Sequence, residues 1–378
     1  MMIQRKLTQT INNRLFKGKA IIIVGARQVG KTSLMRNLMS HHKEPILSLN
    51  CDDPEVRAML SGVNLSNLRL LIGKHKIVII DEAQRVDGIG LTLKLITDNI
   101  PDVQLLVTGS SSLELRNRLD EPLTGRKFEY TMFPVSTAEL LDTYGLLGVK
   151  QTLENRLIFG SYPDIITHSD DAAELLNNLS GSYLYRDLLS LDDIRRPVLL
   201  EKLLVALALQ VGSEVSFNEL AQTTGTNSKT VEKYVNLLSK CFVIFQLSAY
   251  NRNVRTELKR GKKIYFYDNG IRNAILQNFS PLNLRQDVGA LWENFFISER
   301  IKANHYAHRH AKSYFWRTTQ QQEIDYIEDC DGKIDAFELK WNKRAAAKAR
   351  MPEIFTKSYD VASFSAVTPD NYLQFLID

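Results

Sequence analysis

Ala20-Ile-Ile-Ile-Val-Gly25-Ala-Arg-Gln-Val-Gly30-Lys-Thr-Ser-Leu34 is the stretch that decides the fold class of this chain. Four β-branched residues, Ile21 to Val24, lead into Gly25-x-x-x-x-Gly30-Lys31-Thr32. A buried strand that enters such a turn and leaves it as a helix is the context of a phosphate-binding loop. Its backbone N–H groups turn inward around β- and γ-phosphates, with a lysine as point charge and a hydroxyl for Mg²⁺. The expected nucleotide-binding set is Gly25, Ala26, Arg27, Gln28, Val29, Gly30, Lys31, Thr32 and Ser33, with Lys31 also catalytic. The helix beginning near Lys31 aims its positive end at the same place. ATP is therefore the expected ligand, and the surrounding sequence must say what it is used for.

Up to about residue 145, apolar runs alternate with helical patterns, the signature of an open parallel α/β sheet. Strands are expected at 20–24, 45–49, 76–80, 103–108 and 127–132. Lys76-Ile-Val-Ile-Ile-Asp81-Glu82 reads as a buried strand ending in two acids. Ligands of such sheets sit at the carboxyl ends of strands, so both acids are expected beside the phosphate loop. Asp81 is suited to hold Mg²⁺ through its water shell and Glu82 to polarise the attacking water. At the next strand end, Thr108 and Ser110 are candidates to touch the γ-phosphate or that water. Ser110 serves equally well as a helix cap before Leu113-Glu114-Leu115. Arg126 follows the turn Pro122-Leu-Thr-Gly125 and is a candidate for the transition-state charge, in cis or in trans; a solvated arginine is the other reading, as it is for Arg116 and Arg118.

Composition narrows the remaining classes. Apolar content of 44% and charged content of 24% are those of a folded globular protein, and 378 residues imply more than one domain. No run of 18 apolar residues offers a membrane span, and the first residues lack a secretory apolar core. Cys51, Cys241 and Cys330 are too scattered for a metal site or disulfide framework, which leads us to expect a cytoplasmic protein. The net charge of +5 is unevenly spread: nine Lys and Arg against Glu232 and Glu257 fall between Lys229 and Lys263. Such an excess points to a polyanion, with DNA the expected partner.

That basic segment overlaps a helix-turn-helix pattern. Ser216-Phe-Asn-Glu219 fits a helix start, Thr223-Thr-Gly225-Thr-Asn227-Ser228 a turn, and Lys229 to Leu238 a second helix. Ser228, Lys229 and Lys233 on the second helix, with Arg252 and Arg255 in a following loop or wing, are the candidate DNA-binding residues. A packing role for the same winged-helix module is the competing reading. Farther on, Glu323-Ile-Asp325, the turn at Asp331-Gly332 and Phe337-Glu338-Leu-Lys340 form a hairpin pattern. Glu338 and Lys340 share a strand face, and a hairpin partner can bring Asp325 to it. Such a set could bind Mg²⁺ at Asp325 and Glu338, with Lys340 on the developing charge and Glu293 of the preceding helix completing the site. The basic residues Lys343, Arg344, Lys348 and Arg350 then form a helix face for a phosphate backbone, whereas His305, His308 and His310 read as surface residues.

Gly25-Ala-Arg-Gln-Val-Gly-Lys-Thr32, Asp81-Glu-Ala-Gln84, Thr108-Gly-Ser110 and Leu123-Thr-Gly-Arg126 together resemble prokaryotic AAA-type ATPases with a C-terminal DUF4143 domain. Gly160-Ser-Tyr-Pro163, Tyr265-Phe-Tyr-Asp268-Asn-Gly270, Gly289 to Asn294 and Glu338-Leu-Lys340 extend the likeness over nearly the whole chain. The family's usual Gly-Gly-Tyr-Pro is Gly-Ser-Tyr-Pro here. The resemblance implies an α/β protein with a P-loop AAA-like ATPase core at 1–145, a helical lid or linker at 146–198, a winged-helix domain at 199–270, and a restriction-endonuclease-like PD-(D/E)xK domain at 271–378. The function expected is a Mg²⁺-dependent ATPase acting on DNA, with a homo-oligomer if an arginine acts in trans. A nucleotide-gated regulatory or defence switch with a silent nuclease-like domain is the alternative.

Overall fold

The computed structural model describes residues 3–40, 42–109, 122–184, 196–251 and 261–377, with backbone alone for 182–184. It divides into two compact units, one running to Pro134 together with Lys240–Phe242, the other formed by Val135–Ser239 and the chain from Val243 onward. In the first unit, β1 (Ala20–Val24) is buried along its whole length. It is flanked by β4 (Gln104–Gly109) and β5 (Lys127–Thr131), with β3 (Ile77–Asp81) and β2 (Ile46–Asn50) completing a parallel sheet in the order β2-β3-β4-β1-β5. All five expected strands are present within a residue or so of their expected ends. Ile22, Val24, Val78, Ile80, Leu105 and Val107 pack one face of the sheet against Leu60, Leu68, Leu93 and Ile96 of the covering helices. Fully burying side chains of this kind stabilises by roughly 1.5–3 kcal/mol each, which is why the middles of these strands are apolar.

The parallel arrangement brings all strand ends that matter to one edge. Val24 leads into the phosphate loop, and the helix Lys31–Ser40 leaves it. Gly25 is required by close approach: a Cβ there would lie 2.1 Å from the Met132 carbonyl oxygen, just past the end of β5. Gln28 and Gly30 adopt left-handed backbone, with φ of 60° and 97°, which curls the loop.

The second unit contains a seven-stranded mixed sheet in the order β12-β11-β10-β9-β7-β8-β6. Its strands are β6 (Glu214–Val215), β7 (Ile244–Ala249), β8 (Lys262–Phe266), β9 (Lys312–Arg317), β10 (Glu323–Cys330), β11 (Lys333–Leu339) and β12 (Val361–Val367). The expected helix pair is formed by Phe217–Thr224 and Ser228–Lys240. The Ser216 hydroxyl accepts from the Glu219 amide, Gly225 ends the first helix at φ 72°, and Asn227 Oδ1 accepts from the Thr230 amide at 2.9 Å to start the second. Val231, Tyr234, Val235, Leu237 and Leu238 give the second helix a buried stripe, leaving Lys229 and Lys233 exposed.

The expected boundary near residue 270 is not a break in this sheet. Strands β6, β7 and β8 are antiparallel neighbours, and β7 pairs in parallel with β9 through Ser248–Tyr314 and Ala249–Phe315. The middle and C-terminal segments therefore share one sheet, and the first unit ends at Pro134 rather than near 145. Trp316, Ile324, Ile327, Ile334, Ala336 and Phe355 fill one side of its C-terminal half. The helix Val288–Tyr306 contributes Trp292, Phe295 and Phe296, which pack with Phe337, Tyr372 and Phe375.

Three motif segments meet in one buried knot of this unit. Asp268 accepts from the Ser161 amide at 2.6 Å and caps the helix Asn269–Ile275. A Cβ on Gly160 would lie 1.9 Å from the Asp268 carboxylate, and Gly160 itself has φ 75°. Asn294 reads both backbone groups of Phe266 and donates to Asn269, whose own amide reaches the carbonyls of Leu157 and Leu291. Gly160-Ser-Tyr-Pro163, Asp268-Asn-Gly270 and Asn294 thus have structural work: they satisfy buried backbone where helices and strand cross.

Candidate functional site

The phosphate loop is pre-shaped. Lys31 is buried, and its ammonium donates to the carbonyls of Gly25 and Ala26 at 2.9 and 2.8 Å, where it is aimed into the loop. Thr32 is exposed, and its hydroxyl donates to Asp81 Oδ2 at 2.7 Å. Strand β4 lies between β1 and β3, so Thr108 stands between the loop and the acids. Its hydroxyl donates to Asp81 Oδ1 and accepts from the Glu82 amide at 3.2 Å. Thr108 is fully buried, so in this arrangement it fixes the two acids rather than facing a phosphate. Glu82 sits in left-handed backbone at φ 53°, and Gln84 Nε2 donates to its carboxylate at 2.6 Å.

Lys31, Thr32, Asp81, Glu82 and Thr108 are therefore one cluster at the carboxyl edge of the sheet. A hydroxyl in contact with a carboxylate, beside a buried ammonium in a ring of backbone groups, is a donor set that fits a Mg²⁺–nucleotide. Arg126 is not part of it. The Ala20 amide donates to its carbonyl, at the start of β1, roughly 16 Å along the strand from the loop. Its guanidinium bonds Asp98 at 2.5 Å, so in its own chain Arg126 serves the opposite edge. Ser110, Arg116 and Arg118 lie outside the described residues.

Two residues of this site were not singled out from sequence. Arg5 is buried, and its guanidinium donates to the Val29 carbonyl within the phosphate loop and to the Phe133 carbonyl, both at 2.6 Å. Cys51 follows β2 and lies near the two acids; burial, then the charges of Asp81, Asp52 and Glu82, push its thiol up to about 12. Its position one residue past a strand end was the available signal, whereas nothing in the local sequence marks Arg5.

The second cluster lies in the second unit. Asp325 on β10 and Glu338 on β11 are neighbours one step beyond the Tyr326–Phe337 pair, and Lys340 reaches both, at 3.3 and 2.7 Å. Asp325 also accepts from the Leu339 amide at 2.8 Å. Glu293 joins this region but is held by residues sequence reasoning passed over. Lys263 bonds it at 3.2 Å and also pairs with Glu323, while the Tyr265 hydroxyl donates to the same Glu293 oxygen at 2.6 Å. Burial raises Glu293 to about 7, with Asp325 adding to the rise and Lys263 and Tyr265 opposing it. Burial and Asp325 raise Glu338 as well. Lys263, counted in the basic run, is thus a buried ion-pair residue rather than part of a solvated patch. Among the described residues, no group of three or more His, Cys, Asp or Glu side chains is arranged to hold a metal ion.

Of the candidate DNA-binding residues, Ser228 is half-buried at the helix start, Lys229 and Lys233 face outward, and Arg252 and Arg255 lie outside the described residues. No described helix is long and apolar enough to cross a membrane.

Residues 17–141 match the family described as AAA domain, 150–282 a domain of unknown function (DUF8612), and 288–368 a domain of unknown function (DUF4143). The DUF8612 match runs across both expected boundaries of the middle segment, at 198 and 270. An uncharacterized protein of Mycobacterium tuberculosis is 27% identical over 350 residues, covering 90% of this chain and 74% of the relative. One of Methanocaldococcus jannaschii is 24% identical over 352 residues, covering 79% and 72%. Among solved structures, a Walker-type ATPase of Pyrococcus abyssi superposes with a TM-score of 0.50 at 16% identity, covering 73% of this chain and 96% of that one. That likeness is one of fold.

Proposed function

We propose that this chain, which pairs an AAA-type P-loop ATPase domain with a DUF4143 domain, hydrolyses ATP with Mg²⁺ and uses the cycle in an action on DNA. The observation that carries the hydrolytic half is the contact of Thr32 and Thr108 with the two oxygens of Asp81, with Glu82 held alongside. A protein that only bound nucleotide would need Lys31 and the loop, but not a positioned second acid. When bound, Mg²⁺ neutralises charge on the transferred phosphate, and Thr32 with Asp81 would hold it. Lys31 places its ammonium on the β- and γ-phosphates. Glu82 takes up the water as Gln84 releases or shares its carboxylate, and Thr108 keeps both acids aligned. Arg126, remote from its own loop, could assist only a neighbouring copy, which makes a homo-oligomer part of this reading.

The DNA half rests on the helix pair Phe217–Thr224 and Ser228–Lys240 with Lys229 and Lys233 exposed on the second helix, an arrangement suited to phosphate and base contacts. The test is ATP turnover by the full chain with single-stranded, duplex and branched DNA at moderate salt. We expect turnover to rise with at least one form, to vanish in Glu82→Gln with nucleotide binding kept, and to lose its DNA response in Lys229→Ala with Lys233→Ala. Absence of both stimulation and binding by every form would refute the DNA reading. A second reading, a nucleotide-gated switch for a protein partner, is favoured by one observation, the matching of every acid in the C-terminal cluster to a lysine.

A further inference from the structure

That matching carries a more specific conclusion, independent of what the ATPase acts on. We propose that the Lys263 ammonium occupies the place of a divalent cation in the C-terminal cluster, making it a metal-free ion-pair centre that does not cut DNA. A nuclease site of this fold needs carboxylate oxygens converging on one point at about 2.0–2.6 Å from a metal. Here the four acids point elsewhere. Glu293 and Glu323 converge on Lys263, and Asp325 and Glu338 converge on Lys340.

Lys263 is built into this position. It lies on β8, whose backbone pairs on both sides, with Leu247 and Glu214. Its side chain is 3% exposed, and its ammonium lies 5.4 Å from the centre of the buried Phe315 ring. Tyr265, two residues along the same strand face, donates to Glu293 and fixes the carboxylate toward the lysine. A cation entering between the acids would have to displace this buried ammonium from Glu293 and Glu323, the two carboxylates it pairs with. On the other half, Asp325 Oδ2 is already shared between Lys340 and the Leu339 amide.

The test uses the nucleotide-free full chain, Mn²⁺ as the probe, and electron paramagnetic resonance to count bound ions. Asp325→Asn is the reference, so that ions at Thr32 and Asp81 cancel. We expect wild type and Asp325→Asn to bind Mn²⁺ alike, and neither to nick supercoiled DNA with Mg²⁺ or Mn²⁺. Lys263→Met keeps an apolar stem and removes the charge; it should gain one bound Mn²⁺ per chain that wild type lacks, lost again when Asp325→Asn is added. A wild-type Mn²⁺ site or nicking activity that Asp325→Asn removes would overturn the proposal. So would a folded Lys263→Met that gains no site; if that variant fails to fold, the wild-type comparison still decides.

Discussion

Arg5→Ala should weaken nucleotide binding although Arg5 lies outside the phosphate-loop motif. Its guanidinium donates two bonds of 2.6 Å, one to Val29 in the loop and one to Phe133 beside it. A hydrogen bond from a charged donor contributes about 1.5–3 kcal/mol net, so the pair is worth about 3–6 kcal/mol if nothing replaces it. Water entering the vacated space recovers part, leaving a loss of about 2–4 kcal/mol. One of the two bonds ends on the loop, so about 1–2 kcal/mol falls on the loop's closed shape, equivalent to roughly 5- to 30-fold in Kd. Titration of a fluorescent ATP analogue into the full chain measures this, and hydrogen exchange at residues 25–32 should show the loop opening. Arg5→Lys should recover one bond and fall between. Binding within twofold of wild type in a folded Arg5→Ala, with Lys31→Ala abolishing it, would refute the reasoning.

Thr108→Val keeps the shape but removes the hydroxyl joining Asp81 to the Glu82 amide; kcat should fall about 10- to 100-fold with nucleotide Kd nearly unchanged, read by turnover and equilibrium titration. The Cys51 thiol, raised to about 12 by burial and by nearby Asp81, should resist alkylation at pH 8 in the folded chain and react after denaturation, which mass spectrometry of the labelled peptides resolves. Asp287 is held down to about 2 because hydrogen bonds from Arg285 and Arg272 outweigh the effect of burial. A depressed folded pKa stabilises above the unfolded value near ~3.9 and is lost as pH falls through about 2, so Asp287→Asn should remove about 1–2 kcal/mol at pH 6 but little at pH 2 in denaturant titrations.

What the sequence disclosed depended on how local the cause was. The strand Ile21–Val24, the loop after it and the acids at 81 and 82 are each fixed by neighbours in the chain: β-branched residues before a glycine turn, and a buried run that ends in charge. Asn227 and Gly225 bracket their helices for the same local reason. Arg5 was illegible because its partner is 24 residues away and is a carbonyl, which every residue possesses. Lys263 was misread for a related reason. A run of lysines and arginines shows charge but not depth, and only the placement of Glu293 and Glu323 around it turns one member inward. The boundary near 270 followed from a change of pattern, whereas the parallel pairing of β7 with β9 joins residues some 65 positions apart and leaves no periodic trace.

That pairing also governs how chains of this kind can be cut and recombined. A fragment beginning at residue 271 would retain β9 but lose the strand that covers its outer edge, exposing backbone donors and acceptors to any strand it met. The helix pair Phe217–Thr224 and Ser228–Lys240 and the DUF4143 segment are then tied to one sheet and form one block, not two cassettes. A gene fusion or crossover that separates them produces a sticky half-sheet, whereas one that falls between Pro134 and Val135 leaves both sheets whole. For this chain, therefore, the smallest C-terminal piece that keeps every strand pairing is the whole sheet.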